Sequence, residues 1–163
     1  MTVLRMTVAH HRQPSISEED FYQWVTEQHA ARAAKLHAKN GIEGFSIFFA
    51  PKSFREFTAG LNEMRGSPWR VRDFDAQVEF LFRDMETFYK GAADADFQAL
   101  QAEEGAFISA KGAEISIGWV ETYVSDGKVV NLDEAGNPTY PAFADMHQAP
   151  QAGHGTVETQ GGN

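Results

Sequence analysis

Two histidines on segments of regular periodicity are the residues of this sequence best suited to acid–base chemistry. His29 follows Phe21 and Val25 at four-residue spacing, so a helix would place all three on the side that meets the core. His10 shares one side of a predicted strand with Leu4, at the end of that strand. His29 is either a packing residue or part of a pocket lining. His10 is either an exposed residue at the end of a strand or part of a pocket lining. In a pocket, the near-neutral pKa of a histidine suits proton transfer. The pattern alone leaves these interpretations open.

An aspartate and the neighbouring histidines complete the polar candidates. Asp75 opens a predicted strand, where an aspartate either forms a turn, orients a histidine or accepts a substrate hydroxyl. His10 and His11 point to opposite faces of a regular strand, so the pair cannot chelate one metal ion. A metal would need His10, His29 and a carboxylate from elsewhere, and we predict no metal site. The chain has no cysteine, which excludes disulfides, thiolate ligands and cysteine nucleophiles.

Composition and missing motifs narrow the classes of function. The 163 residues include 14 basic and 23 acidic side chains, and the net charge of −9 argues against nucleic acid or an anionic membrane as a partner. The sequence lacks G-x-G-x-x-G, a P-loop, G-x-S-x-G and H-E-x-x-H, which disfavours nucleotide-binding and serine-hydrolase mechanisms. It also lacks the apolar runs of a signal peptide or a membrane span, and we therefore predict a cytoplasmic protein.

Alternating strand and helix patterns predict the elements that hold these residues. Strands are predicted at residues 3–10, 42–50, 74–83 and 113–124, and helices at 17–36, 53–64, from 84 and at 94–107. Ser17 and Asp20 approximate a capping box at the start of the first helix, which ends near Asn40-Gly41. Four strands with helices between them predict an α+β fold with the helices on one face of the sheet. The other face needs cover, for which a second subunit is the usual solution.

The predicted domain organisation is one folded unit with an extension. Residues 1–130 are predicted to form the domain, residues 131–150 a C-terminal extension, and residues 151–163, which are rich in Gly, Gln and Thr, a disordered tail. On the third strand, Gln77, Glu79 and Leu81 form a mixed face opposite the helices. That face suits a partly polar dimer interior and solvent equally well.

Three segments resemble EthD-domain proteins of the dimeric α+β-barrel superfamily. The stretch from Pro14 to Ala30 is similar to the proline, the S-x-E-E-F-x-x-Y/W-W helix and the histidine of that family. The stretch from Asp73 to Phe80 is similar to its D-Y-D-x-x-x-E strand, and Ile117 to Val130 to its last strand and exit turn. Ala31 stands where members commonly have a proline, and the tail after Pro141 has no counterpart.

The resemblance is greatest to small tailoring decarboxylases and dehydratases of fungal aromatic polyketide pathways. It implies a ferredoxin-like four-stranded antiparallel sheet in a homodimeric α+β barrel, with a cofactor-free pocket between helices and sheet. It implies a lyase of an aromatic polyketide, through decarboxylation of a polycyclic β-keto or hydroxyaryl acid or through dehydration or cyclisation. A non-catalytic ligand-binding member and a haem- or metal-using relative are the alternatives.

The resemblance also assigns roles to residues. His29 becomes the general acid/base, with His10 and Asp75 as further catalytic candidates. Aromatic residues would form a wall for a flat substrate or pack as plain core, and one tyrosine would donate to an oxyanion. The proposed wall consists of Tyr22, Trp24, Phe49, Phe80 and Trp119, and the donor is Tyr123.

Overall fold

Four strands form one antiparallel sheet in a computed structural model that describes residues 3–66 and 68–146 of the chain. The strands are β1 (Val3–Arg12), β2 (Gly44–Phe49), β3 (Ala76–Phe82) and β4 (Ile108–Val120), and their order in the sheet is β2-β3-β1-β4. A short hairpin of β5 (Val124–Ser125) and β6 (Lys128–Val129) follows.

Helical segments connect these strands. Between β1 and β2 lie α1 (Glu18–Gln23), a π-helical turn (Trp24–Ala30) and α2 (Ala31–Lys39). Helix α3 (Lys52–Met64) precedes β3, while α4 (Met85–Ala92), α5 (Ala95–Ala102) and a 3₁₀ turn (Glu104–Ala106) precede β4. A last helix, α6, spans Phe143–Met146. Within the described ranges no helix is long and apolar enough to cross a membrane.

The expected fold class is confirmed. Apart from helix α3 between β2 and β3, the order is β-α-β-β-α-β with β1 between β3 and β4, which is the ferredoxin-like arrangement of a four-stranded antiparallel sheet. Helices α1, α2, α4 and α5 lie on the sheet face that carries Met6, Phe80 and the fully buried Phe82. Helix α3 borders a separate groove at the β2 edge together with Phe48, whose side chain points to the opposite face.

Local features explain where the predicted boundaries move. Ser17 caps α1 by accepting a hydrogen bond from the Asp20 backbone N–H at 3.0 Å, as the capping box predicts. Strand β4 begins at Ile108 rather than near Ala113. Its first part was not predicted, because the register with β1 shifts between Ala9 and His11 and the alternation of side chains breaks there. Gly112, with φ of +79°, adopts the left-handed conformation at this irregularity.

The chain after β6 folds back onto the end of β4. The Tyr140 hydroxyl accepts a hydrogen bond from the Thr122 backbone N–H at 2.6 Å, and the Phe143 ring lies 6.2 Å from the Trp119 ring. The predicted extension at residues 131–150 is therefore in contact with the domain through Tyr140 and Phe143. The predicted disordered tail lies outside the described residues.

Candidate functional site

A cavity of about 210 Å³ lies between the sheet and the helices, where the sequence resemblance placed a pocket. Its wall is largely aromatic and aliphatic, and it is formed in part by the rings of Phe45, Phe80, Phe88 and Phe97. Ile115 also lines the cavity while its side chain remains 71% exposed, so the cavity opens to solvent beside β4. An apolar cavity with few polar groups is typical of a small-molecule site.

The polar groups of the cavity are three histidines, a glutamate and a glutamine. His10 comes from β1, His29 from the π-helical turn and His37 from α2, while Gln101 and Glu104 come from the segment before β4. The sheet positions His10 directly, because alternate residues of β1 face the helices and His10 is in register with Ala76 on β3. The structure thus brings both predicted histidines to one cavity.

The π-helical turn determines how His29 is held. A π-turn closes i→i+5 hydrogen bonds, so residues five apart become neighbours, whereas an α-helix pairs residues three and four apart. His29 accordingly packs against Trp24, five residues earlier, with ring centroids 5.1 Å apart. Trp24 in turn stacks on Phe107 at 4.4 Å with an interplanar angle of 4°. The regular α-helix expected from the sequence would not bring Trp24 and His29 together.

His29 meets a carboxyl group that the sequence did not single out. Its Nε2 lies 3.4 Å from Oε1 of Glu104, and the side chains are only 13% and 23% exposed. The Nδ1 atom of His29 is buried and has no hydrogen-bond partner among the described residues. One ring nitrogen therefore faces an acid while the other is not engaged by the protein.

Burial sets the protonation of this pair. Burial lowers the pKa of His29, and the positive charge of Arg32 lowers it further while Glu103 opposes the change. Burial raises the pKa of the Glu104 carboxyl to about 7. Near neutral pH the imidazole is consequently neutral and the carboxyl is partly protonated, so the pair contains both a proton acceptor and a proton donor.

His10 is perturbed in the same direction. Burial lowers the pKa of His10, with smaller contributions from His29 and His11. A neutral imidazole can accept a proton at one nitrogen and donate a hydrogen bond from the other. In the part of the chain that the structure describes, no three His, Cys, Asp or Glu side chains form a group that could hold a metal ion.

Asp75 lies in an arginine cluster rather than against a histidine side chain. It accepts a hydrogen bond from the Arg12 backbone N–H at 2.9 Å, and its other carboxylate oxygen lies 3.3 Å from the Arg55 guanidinium. Its own backbone N–H donates to the His10 carbonyl at 3.0 Å. Asp75 therefore connects the start of β3 to β1 through hydrogen bonds. It is not among the residues that line the cavity.

The aromatic residues predicted as a substrate wall are spread more widely than expected. Phe80 lines the cavity, whereas Tyr22 pairs with Phe49 at 4.9 Å and Trp24 supports His29 from behind. At the far end of the sheet, Glu121 accepts hydrogen bonds from Trp119 Nε1 at 3.0 Å and from the Tyr123 hydroxyl at 2.6 Å. For the residues on strands, alternation predicts which face of the sheet a side chain lies on but not where along the strand it lies relative to the cavity.

Glu104, His37 and Gln101 are the polar cavity residues that the sequence reasoning missed. Glu104 begins a 3₁₀ turn after a helix without a clear apolar stripe, so no periodicity marked it. A histidine near the C-terminal end of a helix is ordinarily explained by the helix dipole, yet His37 is buried among the rings of Phe45, Phe80 and Phe97. Its spacing of eight residues from His29, close to two helical turns, was the signal available.

The burial of His37 predicts an acid-dependent loss of stability. Burial lowers the pKa of His37 to about 4, with His29 as a smaller cause. Between pH 6.5 and 4 the unfolded chain binds a proton at this histidine and the folded chain does not, so stability falls as pH falls, by about 3 kcal/mol for this group.

Urea unfolding of wild type and His37→Leu at several pH values measures this contribution. The His37→Leu protein is expected to lose less free energy of unfolding between pH 6.5 and 4 than the wild type. The comparison isolates His37 because His10, His29 and Glu104 are common to both proteins. Equal losses in the two proteins would contradict the expectation.

Comparison with known proteins places the chain in a family. Residues 13–111 match the EthD domain. The chain belongs to the EthD-domain family. A relative from Aspergillus terreus, whose name assigns it provisionally to the oxygenases, is 34% identical over 88% of this chain and 90% of its own length. This agrees with the resemblance noted in the sequence.

Further relatives of this EthD-domain protein carry lyase names. Dehydratase aurZ from Gibberella zeae is 28% identical over 81% of this chain and 86% of its own length. Decarboxylase nsrE from Aspergillus novofumigatus is 26% identical over 78% of this chain and 84% of its own length. A solved EthD-family protein from Bacillus halodurans is 18% identical, with a TM-score of 0.47 over 72% of this chain and 97% of that one.

Proposed function

We propose that this EthD-domain protein is a cofactor-independent lyase of an aromatic polyketide intermediate, acting most directly as a decarboxylase of a polycyclic β-keto or hydroxyaryl acid. The observation that carries the proposal is His29, whose side chain is 13% exposed and whose pKa is lowered by burial, in a cavity walled by phenylalanine rings. The decarboxylase and dehydratase names of relatives support the reaction class. The aromatic wall supports a flat, largely apolar substrate.

Decarboxylation requires the protein to position the substrate and to deliver a proton to the carbon that loses CO₂. The bond between the carboxylate and the ring carbon breaks, CO₂ leaves, and the electron pair moves into the conjugated carbonyl as an enolate. A proton then adds to the carbon that lost CO₂. His29 supplies the acid–base function, and His10, which reaches the same cavity from β1, donates a hydrogen bond to the carbonyl oxygen on which charge develops.

Oxygenation is the second candidate, because the relative at 34% identity is named for that activity. Dehydration is favoured by the relative at 28% identity and needs the same groups, one to remove a C–H proton and one to protonate the leaving hydroxyl. The three reactions differ in what they consume and release. Decarboxylation releases CO₂, dehydration releases water, and oxygenation consumes O₂.

Product analysis under controlled atmosphere tests the proposal. Purified protein is incubated with polycyclic β-keto and hydroxyaryl acids that carry ¹³C in the carboxyl group, with and without O₂. We expect ¹³CO₂ release above the protein-free rate, at the same rate in both atmospheres. Loss of water from the substrate would identify a dehydratase, consumption of O₂ would identify an oxygenase, and saturable binding without turnover would identify a ligand-binding protein.

We further propose that the protein functions as a homodimer in which the sheet face opposite the cavity is covered. That face carries the ion pair between Arg5 and Glu79 and a hydrogen bond of 2.7 Å between the Thr7 and Ser116 hydroxyls. Gly118 lies on the same face, in register with Arg5. A partly polar face of this kind suits an interface between two copies.

The substitution Gly118→Arg tests the dimer. A side chain added at Gly118 meets no heavy atom within 4 Å in one protomer, so the folded domain should accept it while a second copy should not. Analytical ultracentrifugation is expected to give twice the chain mass of 18.1 kDa for wild type and for Gly118→Ala, and the single mass for Gly118→Arg. A wild-type protein that sediments as a monomer would refute the dimer.

A further inference from the structure

We propose that Glu104 is a catalytic residue that carries the proton delivered to the substrate, acting as a pair with His29. The inference rests on the proposed function and extends it, because it replaces a lone histidine with a carboxyl–imidazole pair. The geometry is the first support. Glu104 Oε1 lies 3.4 Å from His29 Nε2, and both side chains line the cavity in which the substrate would sit.

The position of Glu104 is fixed through the same aromatic stack that holds His29. The Phe107 backbone N–H donates to the Glu104 carbonyl at 2.9 Å, which closes the 3₁₀ turn. The Phe107 ring stacks on Trp24, and Trp24 packs against His29. Three rings therefore link the two chain segments that provide the acid and the base, so the pair is held from both sides.

Two adjacent glutamates have opposite environments. Glu103 is 52% exposed and forms a bidentate ion pair with Arg32, at 2.7 and 2.8 Å. This pairing lowers the pKa of Glu103. Glu104, in contrast, lines the cavity, and burial raises the pKa of its carboxyl to about 7.

The other titratable groups around Glu104 do not offset the effect of burial on the pKa of its carboxyl. The titratable side chains that share the cavity with Glu104 are His10 from β1, His29 and His37. The pKa of each is lowered by burial, so all three are neutral near pH 7. Glu104 can consequently hold a proton in the pH range where His29 can accept one.

The pair balances the proton in each lyase reaction. In decarboxylation the C–C bond breaks, CO₂ leaves, and the Glu104 carboxyl protonates the resulting carbanion. The Glu104 carboxylate then regains its proton from His29, which takes a proton from solvent in turn. In dehydration His29 removes the C–H proton while Glu104 protonates the hydroxyl, which leaves as water. The proton on His29 then returns to the Glu104 carboxylate across the 3.4 Å contact, and the pair is restored.

The variants Glu104→Gln and Glu103→Gln provide a matched test, since they make the same chemical change at neighbouring positions. We expect Glu104→Gln to lower kcat by about 10²–10³-fold, within the usual range for one acid–base group. Glu103→Gln removes the ion pair with Arg32 and the opposing effect of Glu103 on the pKa of His29, which remains neutral, so kcat should stay within about twofold. Circular dichroism and substrate binding check that both variants fold and bind.

The pH dependence separates a proton donor from a structural group. A donor is active when protonated, so kcat/KM of the wild type should fall as pH rises through about 7, the pKa of Glu104. This alkaline limb should persist in Glu103→Gln and be absent in Glu104→Gln. Full activity of Glu104→Gln, or an unchanged limb, would overturn the proposal while leaving the lyase function intact if His29→Ala is inactive.

A direct titration of Glu104 tests the pair without turnover. If the wild type turned over none of the acids, that result would count against the lyase function and not against the pair. Carboxyl ¹³C NMR of glutamate-labelled protein should show one resonance that titrates near pH 7 and is missing in Glu104→Gln. A Glu104 resonance that titrates at the ordinary value near 4.5 would overturn the pair.

Discussion

Replacing His29 with alanine is expected to lower kcat by about 10²–10⁴-fold, the usual contribution of a general acid/base. The substitution removes the imidazole whose Nε2 lies 3.4 Å from Glu104 Oε1. Binding of the aromatic substrate should change far less, because the phenylalanine wall is untouched. Steady-state kinetics with the ¹³C-labelled acids measures both effects, as kcat and KM.

Two controls make this experiment specific. His11→Ala removes a histidine that neighbours His10 on β1 but does not line the cavity, and it should leave kcat unchanged. Added imidazole should restore part of the activity of His29→Ala, since a small base can enter the space left by the side chain. A folded His29→Ala protein with wild-type kcat would remove His29 from the mechanism.

Phe82→Ala is expected to lower the free energy of unfolding by about 3–5 kcal/mol. Phe82 is completely buried, its ring lies 5.7 Å from that of Phe88, and its backbone is in register with Leu4 on β1. Truncation leaves a void that neighbouring elements fill only in part, so the lost contacts add to the lost burial. Phe88 also lines the cavity, and relaxation around the void should therefore weaken substrate binding.

Urea unfolding monitored by fluorescence gives the change directly. Phe82→Leu keeps most of the buried volume at the same position, and it should cost no more than about 1.5 kcal/mol. The difference between the two variants measures the packing at this position rather than the change of residue type. A loss below about 1 kcal/mol for Phe82→Ala would show that the site collapses around the smaller side chain.

The sequence predicted the faces of the elements better than the contents of the cavity. Strand alternation and helical spacing indicate which side of an element faces the core, and they placed both His10 and His29 on that side. Both histidines line the cavity. Trp119 illustrates the limit: it shares its face with Ile115, yet it lies toward the end of β4, against Phe143. Alternation carries no information on which part of a face the helices cover.

Irregular backbone accounts for the remaining differences. Glu104 lies in a 3₁₀ turn, which has no apolar period to reveal it. The bulge at Gly112 concealed the first part of β4, and the π-helical turn was not visible because its residues have ordinary helical composition. Asp75 could be placed at the start of β3, but its contacts with Arg12 and Arg55 depend on three separate segments.

The π-helical turn lies between α1 and α2, and its length sets the direction in which the side chains of α2 face relative to those of α1. Each residue of an α-helix advances the chain by about 100° around the axis, so one extra residue within a helix changes the direction in which everything after it faces. In this protein Phe21 before the turn and His37 after it are both buried, while His29 points at Glu104 between them. Deleting a single residue between Val25 and Gln28 would rotate His29 away from Glu104 without removing a side chain of the site. The acid–base geometry is therefore encoded in the length of this segment as well as in its residues.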